Sequence, residues 1–256
     1  MMKKMILKNA LLTIAGIGLT VSSATATPFN PATDATAGQL DSLQSTLAGF
    51  GSSIDVYNDE AGAEAFALTS PIASAWQIQY DYTGSSDLSF GLYNTSADTT
   101  ALNGNDLLTL FDGSTGAVTG DISIVYDAFG TMMTASGSTG SDTADYMTSF
   151  GFFITDGTDY LFSESDLNSS GADYFLTYQG IQGDTLSMPG TTTTYQDDAQ
   201  HWYVAAEGFG SDFDFDELIV RTESMQPVPE PATMFLFGTG LVGLAGFNRR
   251  KKNQKA

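Results

Sequence analysis

The sequence predicts an all-β protein, an antiparallel β-sandwich of jelly-roll-like type with a short N-terminal helix. Two observations carry this prediction. About ten short segments alternate apolar and polar residues, as strands do when one face is buried. Asn-Gly, Asp-Gly, Ser-Gly and Thr-Gly pairs separate these segments and are typical of tight turns. Many short strands at this spacing favour two antiparallel sheets packed face to face.

A short helix precedes the predicted strands. Leu40, Leu43 and Leu47 recur at spacings of three and four, which places them on one helix face. Asp34 is of a type that caps a helix N-terminus, and Gly49 is of a type that ends one. We expect this helix to pack against one edge of the fold.

The strand candidates then follow along the chain. The first, 76–82, alternates strictly between apolar and polar residues. The others, in order, are 88–92, 107–111, 122–126, 131–135, 150–155, 160–162, 174–178, 202–206 and 218–222. We therefore predict an N-terminal segment with a short helix at 27–53, a sandwich domain at 54–223 and a linker at 224–228.

The first 26 residues have the three zones of a signal peptide. Lys3, Lys4 and Lys8 form a positive region, and an apolar run at 10–21 follows. Ala24 and Ala26 supply the small residues that signal peptidase reads, which predicts an N-terminal signal helix cleaved after Ala26. The apolar run is too short for a membrane-spanning helix, the alternative reading.

The other end combines Pro229-Glu230-Pro231, an apolar stretch at 232–247 and a basic tail. The 16 apolar residues would span about 24 Å as a helix, slightly less than a hydrocarbon core. Flanking Arg and Lys side chains can reach the interface and hold the tail on the cytoplasmic side. We predict a transmembrane helix at 232–247.

This order of motif, helix and basic tail, at 229–252, resembles the PEP-CTERM sorting signal of Gram-negative bacteria. The resemblance implies that an exosortase cleaves near Pro229-Glu230-Pro231, after signal peptidase has acted at the other end. It also implies transient anchoring in the inner membrane, then release to the cell surface or the extracellular space. Producers of such proteins make an extracellular polysaccharide or biofilm matrix.

Removal of both ends changes the charge of the protein. Residues 27–231 hold all 30 acidic residues but a single basic one, Arg221, for a formal charge of −29. Such a chain repels nucleic acid and anionic membranes, so we expect no nucleic-acid partner. Because the mature part has almost no basic residues, cations must neutralise its carboxylates, and carboxylates are ligands for Ca²⁺. A halophilic source would also explain the acidity without a specific site. The absence of cysteine excludes disulfides and thiolate metal sites.

The densest acidic segment lies just before the last predicted strand. Its candidate Ca²⁺ ligands are Glu207, Asp212, Asp214, Asp216 and Glu217. In an extended chain the three aspartates would share one face and the intervening phenylalanines the other. Same-face residues are about 6.6 Å apart, so a bend at the nearby glycines is needed. An EF-hand is excluded because Glu217 stands where that loop requires glycine. The alternative is an acidic turn without a metal.

The same segment, with 202–207, resembles the end of a bacterial domain of unknown function that occurs in surface and PEP-CTERM proteins. That domain usually ends in Asp-x-Asp-Tyr/Phe-Asn-Asp-Leu-Val-Val, whereas this chain has Asp216-Glu217 at the Asn-Asp position. Similar short pieces at 89–93, 150–154 and 160–178 occur in the same order. The resemblance implies a β-rich extracellular module, with calcium suspected as its ligand and no established catalysis.

We expect the protein not to be an enzyme. A serine triad would need His201, the only histidine, and no G-x-S-x-G motif occurs. A first alternative is a carbohydrate-binding module for the producer's own polysaccharide, with sugar rings stacking on Trp76 or Trp202. A second is a glycoside hydrolase, which needs two carboxylates converging in a cleft.

Overall fold

The structure is a computed structural model of the chain, and it describes residues 29–80, 87–98, 101–113, 121–137, 140–169, 171–210 and 212–228. The predicted signal helix, with Ala24 and Ala26, lies outside the described residues. So do Pro229, Glu230 and Pro231 and the predicted transmembrane helix at 232–247. None of the helices that the structure describes has the length and apolar character needed to cross a membrane.

The described residues are mostly β-strand. Two helices, α1 at Pro31–Asp34 and α2 at Asp41–Gly49, precede the strands, and a 3-10 turn occupies Ser165–Leu167. The strands are β1 Ala65–Leu68, β2 Ile72–Tyr80, β3 Ser89–Asn94, β4 Leu107–Phe111, β5 Asp121–Tyr126, β6 Met132–Gly137, β7 Gly140–Asp145, β8 Phe150–Thr155, β9 Tyr160–Phe162, β10 Phe175–Gln179, β11 Thr185–Ser187, β12 Thr194–Gln196, β13 His201–Ala206, β14 Leu218–Glu223 and β15 Met225–Pro227.

These strands form two main sheets, and every described pairing between strands is antiparallel. The order in the first, which we call sheet A, is β10-β13-β14-β2-β5-β6-β7. The order in the second, sheet B, is β15-β1-β8-β3-β4, with β9 also paired to β8. Strands β11 and β12 form a separate hairpin. The prediction of an all-β fold with antiparallel sheets is confirmed, and the two sheets are consistent with a β-sandwich.

The main core lies between the two sheets. Sheet B contributes the fully buried rings of Phe66, Phe90 and Phe152, and sheet A contributes Ile124 and Val220. The ring centroids of Phe66 and Phe152 are 5.2 Å apart, and those of Phe90 and Phe152 are 5.6 Å apart. Burial of large apolar side chains, at about 1.5–3 kcal/mol each, is the main stabilising contribution in a chain without disulfides.

A second core covers the outer face of sheet A. Tyr203 and Ile219 project from β13 and β14 on this face and are buried by Leu43 and Leu47 of α2 and by Leu186 of the β11–β12 hairpin. The predicted helix therefore covers a sheet face rather than an edge. As a result β13 and β14 are buried on both faces, and they hold the loop between them on a rigid base.

The helix start differs from the prediction. Asp34 is the last residue of α1, and Asn30 caps that helix by accepting a hydrogen bond from the Ala32 N–H at 3.0 Å. Helix α2 begins after Leu40 with no side-chain cap. The two helices are separate because the chain becomes extended at Ala35, and Gly38 in the turn between them has a φ of +85°, which glycine allows without strain.

The segment predicted as a linker, 224–228, belongs to the sandwich. Strand β15 pairs with β1, with Met225 opposite Leu68, and Met225 is buried. These strands are too short to show a repeating pattern, which is why the sequence did not reveal either. Strand β7 was missed for another reason, because Ala144 is its only buried residue.

Candidate metal centre

The candidate site is the loop that joins β13 to β14. The last residue pair of this hairpin is Ala206 opposite Leu218, so Glu207 and Glu217 flank it directly and are brought together by strand pairing. The Glu207 N–H donates to the Tyr174 carbonyl oxygen at 2.9 Å, which continues the pairing of β13 with the β10 side. The two glutamates thus extend directly from the paired ends of β13 and β14.

The loop is not extended: it bends near Gly210 and again at its phenylalanines. Phe213 and Phe215 adopt left-handed backbone conformations, with φ of 53° and 57°. Such conformations cost about 1–3 kcal/mol each in a residue with a side chain, so packing must hold them. Phe215 is fully buried, and its ring centroid is 5.4 Å from that of Phe29. The ring centroid of Phe213 is 5.8 Å from that of Tyr174.

Two glutamines from distant parts of the chain also fix the loop. Gln39 Nε2 donates to the carbonyl oxygens of Asp212 at 3.1 Å and Phe213 at 2.8 Å. Gln79 Nε2 donates to the carbonyl oxygen of Asp216 at 2.9 Å. Neither glutamine could be predicted, because nothing in the local sequence marks a residue that supports a loop more than a hundred residues away.

This path gathers four of the five predicted ligands. One carboxylate oxygen from each of Glu207, Asp212, Asp214 and Glu217 lies within 4.8 Å of the others. We call these four residues the carboxylate cluster. The fifth predicted ligand, Asp216, is not in it, because its Oδ2 accepts a hydrogen bond from Ser42 Oγ of α2. The left-handed residue Phe215 separates it from Asp214 and breaks the alternation that would have aligned the three aspartates.

The oxygens of the cluster lack the partners that buried carboxylates normally have. Glu207 is fully buried, and its Oε1 has no hydrogen-bond partner among the described residues, while its Oε2 accepts from the Phe215 N–H at 3.2 Å. Asp214 Oδ1 and Glu217 Oε2 are likewise buried and without a described partner. Three such oxygens at one point are a strong departure from the rule that buried polar groups are satisfied.

Gly210 lies beside this group. A Cβ at this position would be 3.4 Å from both Asp212 Oδ1 and Glu207 Oε1. The lack of a side chain leaves space next to the carboxylates, where a cation could complete its coordination with water.

The electrostatics of the cluster favour bound protons or a bound cation. Burial, together with the charge of Glu217, raises the pKa of Glu207 to about 8. Burial is also the main cause that raises the pKa of Glu217 to about 7, and the charge of Asp214 adds to it. For Asp214, burial and then the charge of Asp216 raise the pKa to about 6. The folded protein therefore disfavours the fully ionised cluster unless positive charge enters it.

A dependence of stability on pH follows for the protein in EDTA. The folded pKa values of Asp214, Glu217 and Glu207 lie above those of the unfolded chain, so the folded state binds more protons. Stability should fall as the pH rises from about 4.5 to 8. We expect Tm in EDTA to be lower at pH 8 than at pH 5 by about 5 °C or more, measured by circular dichroism.

The Glu217→Gln variant is the control for this dependence. Its amide keeps the size of the side chain and removes one of the titrating groups, so the difference in Tm between pH 5 and pH 8 should shrink. An unchanged difference would show that the pH dependence comes from the general acidity of the chain.

Comparison with known proteins identifies the C-terminal end. Residues 227–251 match the PEP-CTERM protein-sorting motif. The motif indicates that the protein is exported, anchored transiently in the membrane and sorted to the cell surface by an exosortase. The matched segment begins at Pro227, the last residue of β15, so the sorting motif follows the sandwich without an intervening linker. No curated protein and no solved structure matches the chain.

The two tryptophans of the exported region lie on opposite faces of sheet A. Trp202 is 5% exposed and packs edge-on against Phe66, with ring centroids 5.2 Å apart. It therefore presents no face for the sugar stacking that the sequence suggested. Trp76 is half-buried on the outer face, where its ring centroid is 5.7 Å from that of Tyr195. A sugar ring at Trp76 would have to compete with this contact.

His201 contacts carboxylates. Its Nδ1 lies 3.2 Å from Asp197 Oδ1 and 2.9 Å from Asp198 Oδ1, and its Nε2 is 3.6 Å from Glu223 Oε2. Asp197 is fully buried and also accepts hydrogen bonds from Tyr203 at 2.9 Å and Arg221 at 3.1 Å. These contacts connect the start of β13 to the end of β14. We interpret them as structural.

Proposed function

We propose that the exported domain is a non-catalytic, Ca²⁺-stabilised component of the cell surface or extracellular matrix, with the carboxylate cluster as its calcium site. The observation that carries the proposal is the set of three buried carboxylate oxygens without partners, on Glu207, Asp214 and Glu217. A cation among them would supply the missing interactions of all three and offset their mutual repulsion.

The chemistry of the cluster favours Ca²⁺ over other cations. All four ligands are carboxylates, whereas Zn²⁺ prefers nitrogen and sulfur ligands. Ca²⁺ binds oxygens at about 2.3–2.6 Å, so opposite ligands are up to about 4.6–5.2 Å apart, and four oxygens within 4.8 Å of one another can all reach one ion. Mg²⁺ usually keeps several waters and is seldom held by a set of protein carboxylates alone.

A structural role accounts for the burial of the site better than catalysis does. A glycosidase needs its two carboxylates to contact a sugar, but Glu207 has no exposed surface. A cation bound by the cluster would instead fix the loop at the end of the β13–β14 hairpin. This role suits an exported domain that has no cysteine for disulfides.

The location supports the proposal. The sorting motif directs the protein to the cell surface, where extracellular modules bind Ca²⁺ with dissociation constants of about 10⁻⁴–10⁻³ M. The resemblance of the β13–β14 segment to a domain of bacterial surface proteins would agree with an extracellular setting. We propose a bacterial matrix as its setting, with the producer's polysaccharide as an alternative ligand.

Calcium is expected to raise the melting temperature of the Thr27–Val228 chain. Saturating Ca²⁺, at about 100 times its dissociation constant, stabilises a folded protein by about 2.7 kcal/mol, which corresponds to about 5–11 °C for a domain of this size. The measurement is a thermal melt in EDTA and then in millimolar Ca²⁺. Mg²⁺ or NaCl at equal ionic strength should give a clearly smaller shift.

The matched variants are Asp214→Asn and Asp121→Asn. They make the same chemical change, but Asp121 is exposed on β5 and does not belong to the cluster. The Ca²⁺ shift should disappear in the first and persist in the second. Equal shifts with Mg²⁺ and Ca²⁺, or a full shift in Asp214→Asn, would leave only general screening of an acidic chain.

A further inference from the structure

A second buried carboxylate lies outside the carboxylate cluster. Asp173 is 8% exposed, and its Oδ1 accepts a hydrogen bond from the Phe175 N–H at 3.0 Å. The Phe29 N–H also hydrogen-bonds to this carboxylate. Asp173 lines a cavity of about 290 Å³ together with Phe29, Asp34 and Phe213.

No cationic side chain is at hand to neutralise Asp173. The chain has no Lys or Arg between Lys8 and Arg221, and Arg221 pairs with Asp197 at 3.1 Å. The surroundings add negative charge instead. Asp34 lies on the cavity wall, and the charges of Glu60 and Glu64 act on Asp173. Burial first, and then these glutamates, raise the pKa of Asp173 to about 7.

One cationic group is created close to this cavity when the protein is processed. Cleavage after Ala26, as the sequence predicts, leaves Thr27 as the first residue, only two residues before Phe29. Two residues of chain span at most about 7 Å, so the new N-terminus lies within that distance of Phe29. A free α-amino group has a pKa of about 7.7–8.0 and is therefore largely protonated at neutral pH. Phe29 is itself held by its backbone hydrogen bond to Asp173 and by its ring contact with Phe215.

We propose that the α-ammonium group of Thr27, formed by signal-peptide cleavage, docks in this cavity and forms an ion pair with Asp173. The precursor cannot make this contact, because the same nitrogen is then a neutral peptide amide. Removal of the signal peptide therefore adds a stabilising interaction to the exported domain. The occupant is this chain's own terminus because the terminus lies within reach of the cavity and carries the complementary charge.

The composition of the chain allows a direct test on the exported, processed protein. No lysine lies between Thr27 and Val228, so the α-amino group is the only primary amine of the sandwich. Acetylation removes its charge, whereas reductive dimethylation with ¹³C-formaldehyde keeps the charge and adds an NMR label. Mass spectrometry first establishes the N-terminal residue, and a terminus other than Thr27 would overturn the proposal.

Acetylation should lower Tm by about 3 °C or more, and dimethylation should leave it nearly unchanged. In Asp173→Asn the acetylated and dimethylated forms should have the same Tm. In Asp121→Asn, an exposed control on another part of the sheet, the acetylated form should still have the lower Tm. An equal effect of acetylation in Asp173→Asn would contradict the ion pair.

A second readout does not depend on a substituted protein. The dimethylated amine of the folded wild-type chain should titrate at a higher pH than the same amine in urea, by about one pH unit. An unchanged titration midpoint would overturn the proposal. Both measurements are made in EDTA and in Ca²⁺, so that failure of the calcium site and failure of the terminal ion pair are separate results.

Discussion

Replacement of Arg221 with alanine is expected to destabilise the protein by about 3–5 kcal/mol, lowering Tm by about 6–20 °C. Arg221 is the only Lys or Arg in the part of the chain that the structure describes. Its Nη2 lies 3.1 Å from Asp197 Oδ1, and the Asp197 side chain has no exposed surface. Removal of the guanidinium leaves a buried carboxylate without its strongest partner, which costs far more than the loss of an exposed ion pair.

The pH dependence provides a second signature of this pair. Burial alone would raise the pKa of Asp197, but hydrogen bonds from His201 and Tyr203 and the charge of Arg221 lower it below its usual value. A lowered folded pKa contributes stability that is present above the unfolded pKa, about 3.9, and is lost as the pH falls through the folded value. Arg221→Ala should reduce this loss below pH 4.

The double variant Arg221→Met/Asp197→Asn is the control for side-chain size and burial. It removes both charges and leaves comparable volume, so it should recover at least half of the stability lost in Arg221→Ala, measured by urea denaturation. A cost below about 1 kcal/mol for Arg221→Ala would place the pair among solvent-screened surface ion pairs and contradict its structural role.

Replacement of Glu207 with glutamine is expected to affect the protein in opposite directions with and without calcium. In EDTA the variant should be more stable than wild type by about 1–3 kcal/mol at pH 8, because a buried charge and its repulsion with Glu217 are removed. In millimolar Ca²⁺ the order should reverse, since the glutamine cannot provide a charged ligand. Isothermal titration calorimetry should show at least about a 100-fold loss of Ca²⁺ affinity.

Glu223→Gln is the matched control. Glu223 lies at the other end of the same hairpin, and its carboxylate contacts His201 rather than the cluster. Its Ca²⁺ affinity should equal that of wild type. If Glu207→Gln is destabilised in EDTA and its Ca²⁺ affinity is unchanged, the carboxylate acts through its hydrogen bond to the Phe215 N–H and not as a metal ligand.

The sequence predicted most of the strands because their signal is local. Strands β4, β8 and β9 have the predicted bounds, since alternation and flanking turns are encoded in adjacent residues. The acidic segment could be found for the same reason. Two of the strands that escaped detection, β1 and β15, are short and stabilise each other across the whole length of the domain.

The geometry of the site depended on contacts that no local pattern contains. Strict alternation would have placed Asp212, Asp214 and Asp216 on one face of the chain. The backbone instead turns at Phe213 and Phe215, which adopt left-handed conformations. As a result Asp216 accepts a hydrogen bond from Ser42, and Glu217 belongs to the cluster. Those turns are held by Phe29, Gln39 and Gln79, which come from the N-terminal segment and from β2.

The sequence by itself determined the destination of the protein, its β architecture and the extreme acidity of its mature part. Sorting signals and charge are properties of the chain, and they persist whatever the fold. Only the tertiary structure decided which carboxylates meet and which are buried without partners. Their separation and their loss of water depend on packing between distant segments, and these two quantities determine whether acidic residues are merely solvated or form a cation site.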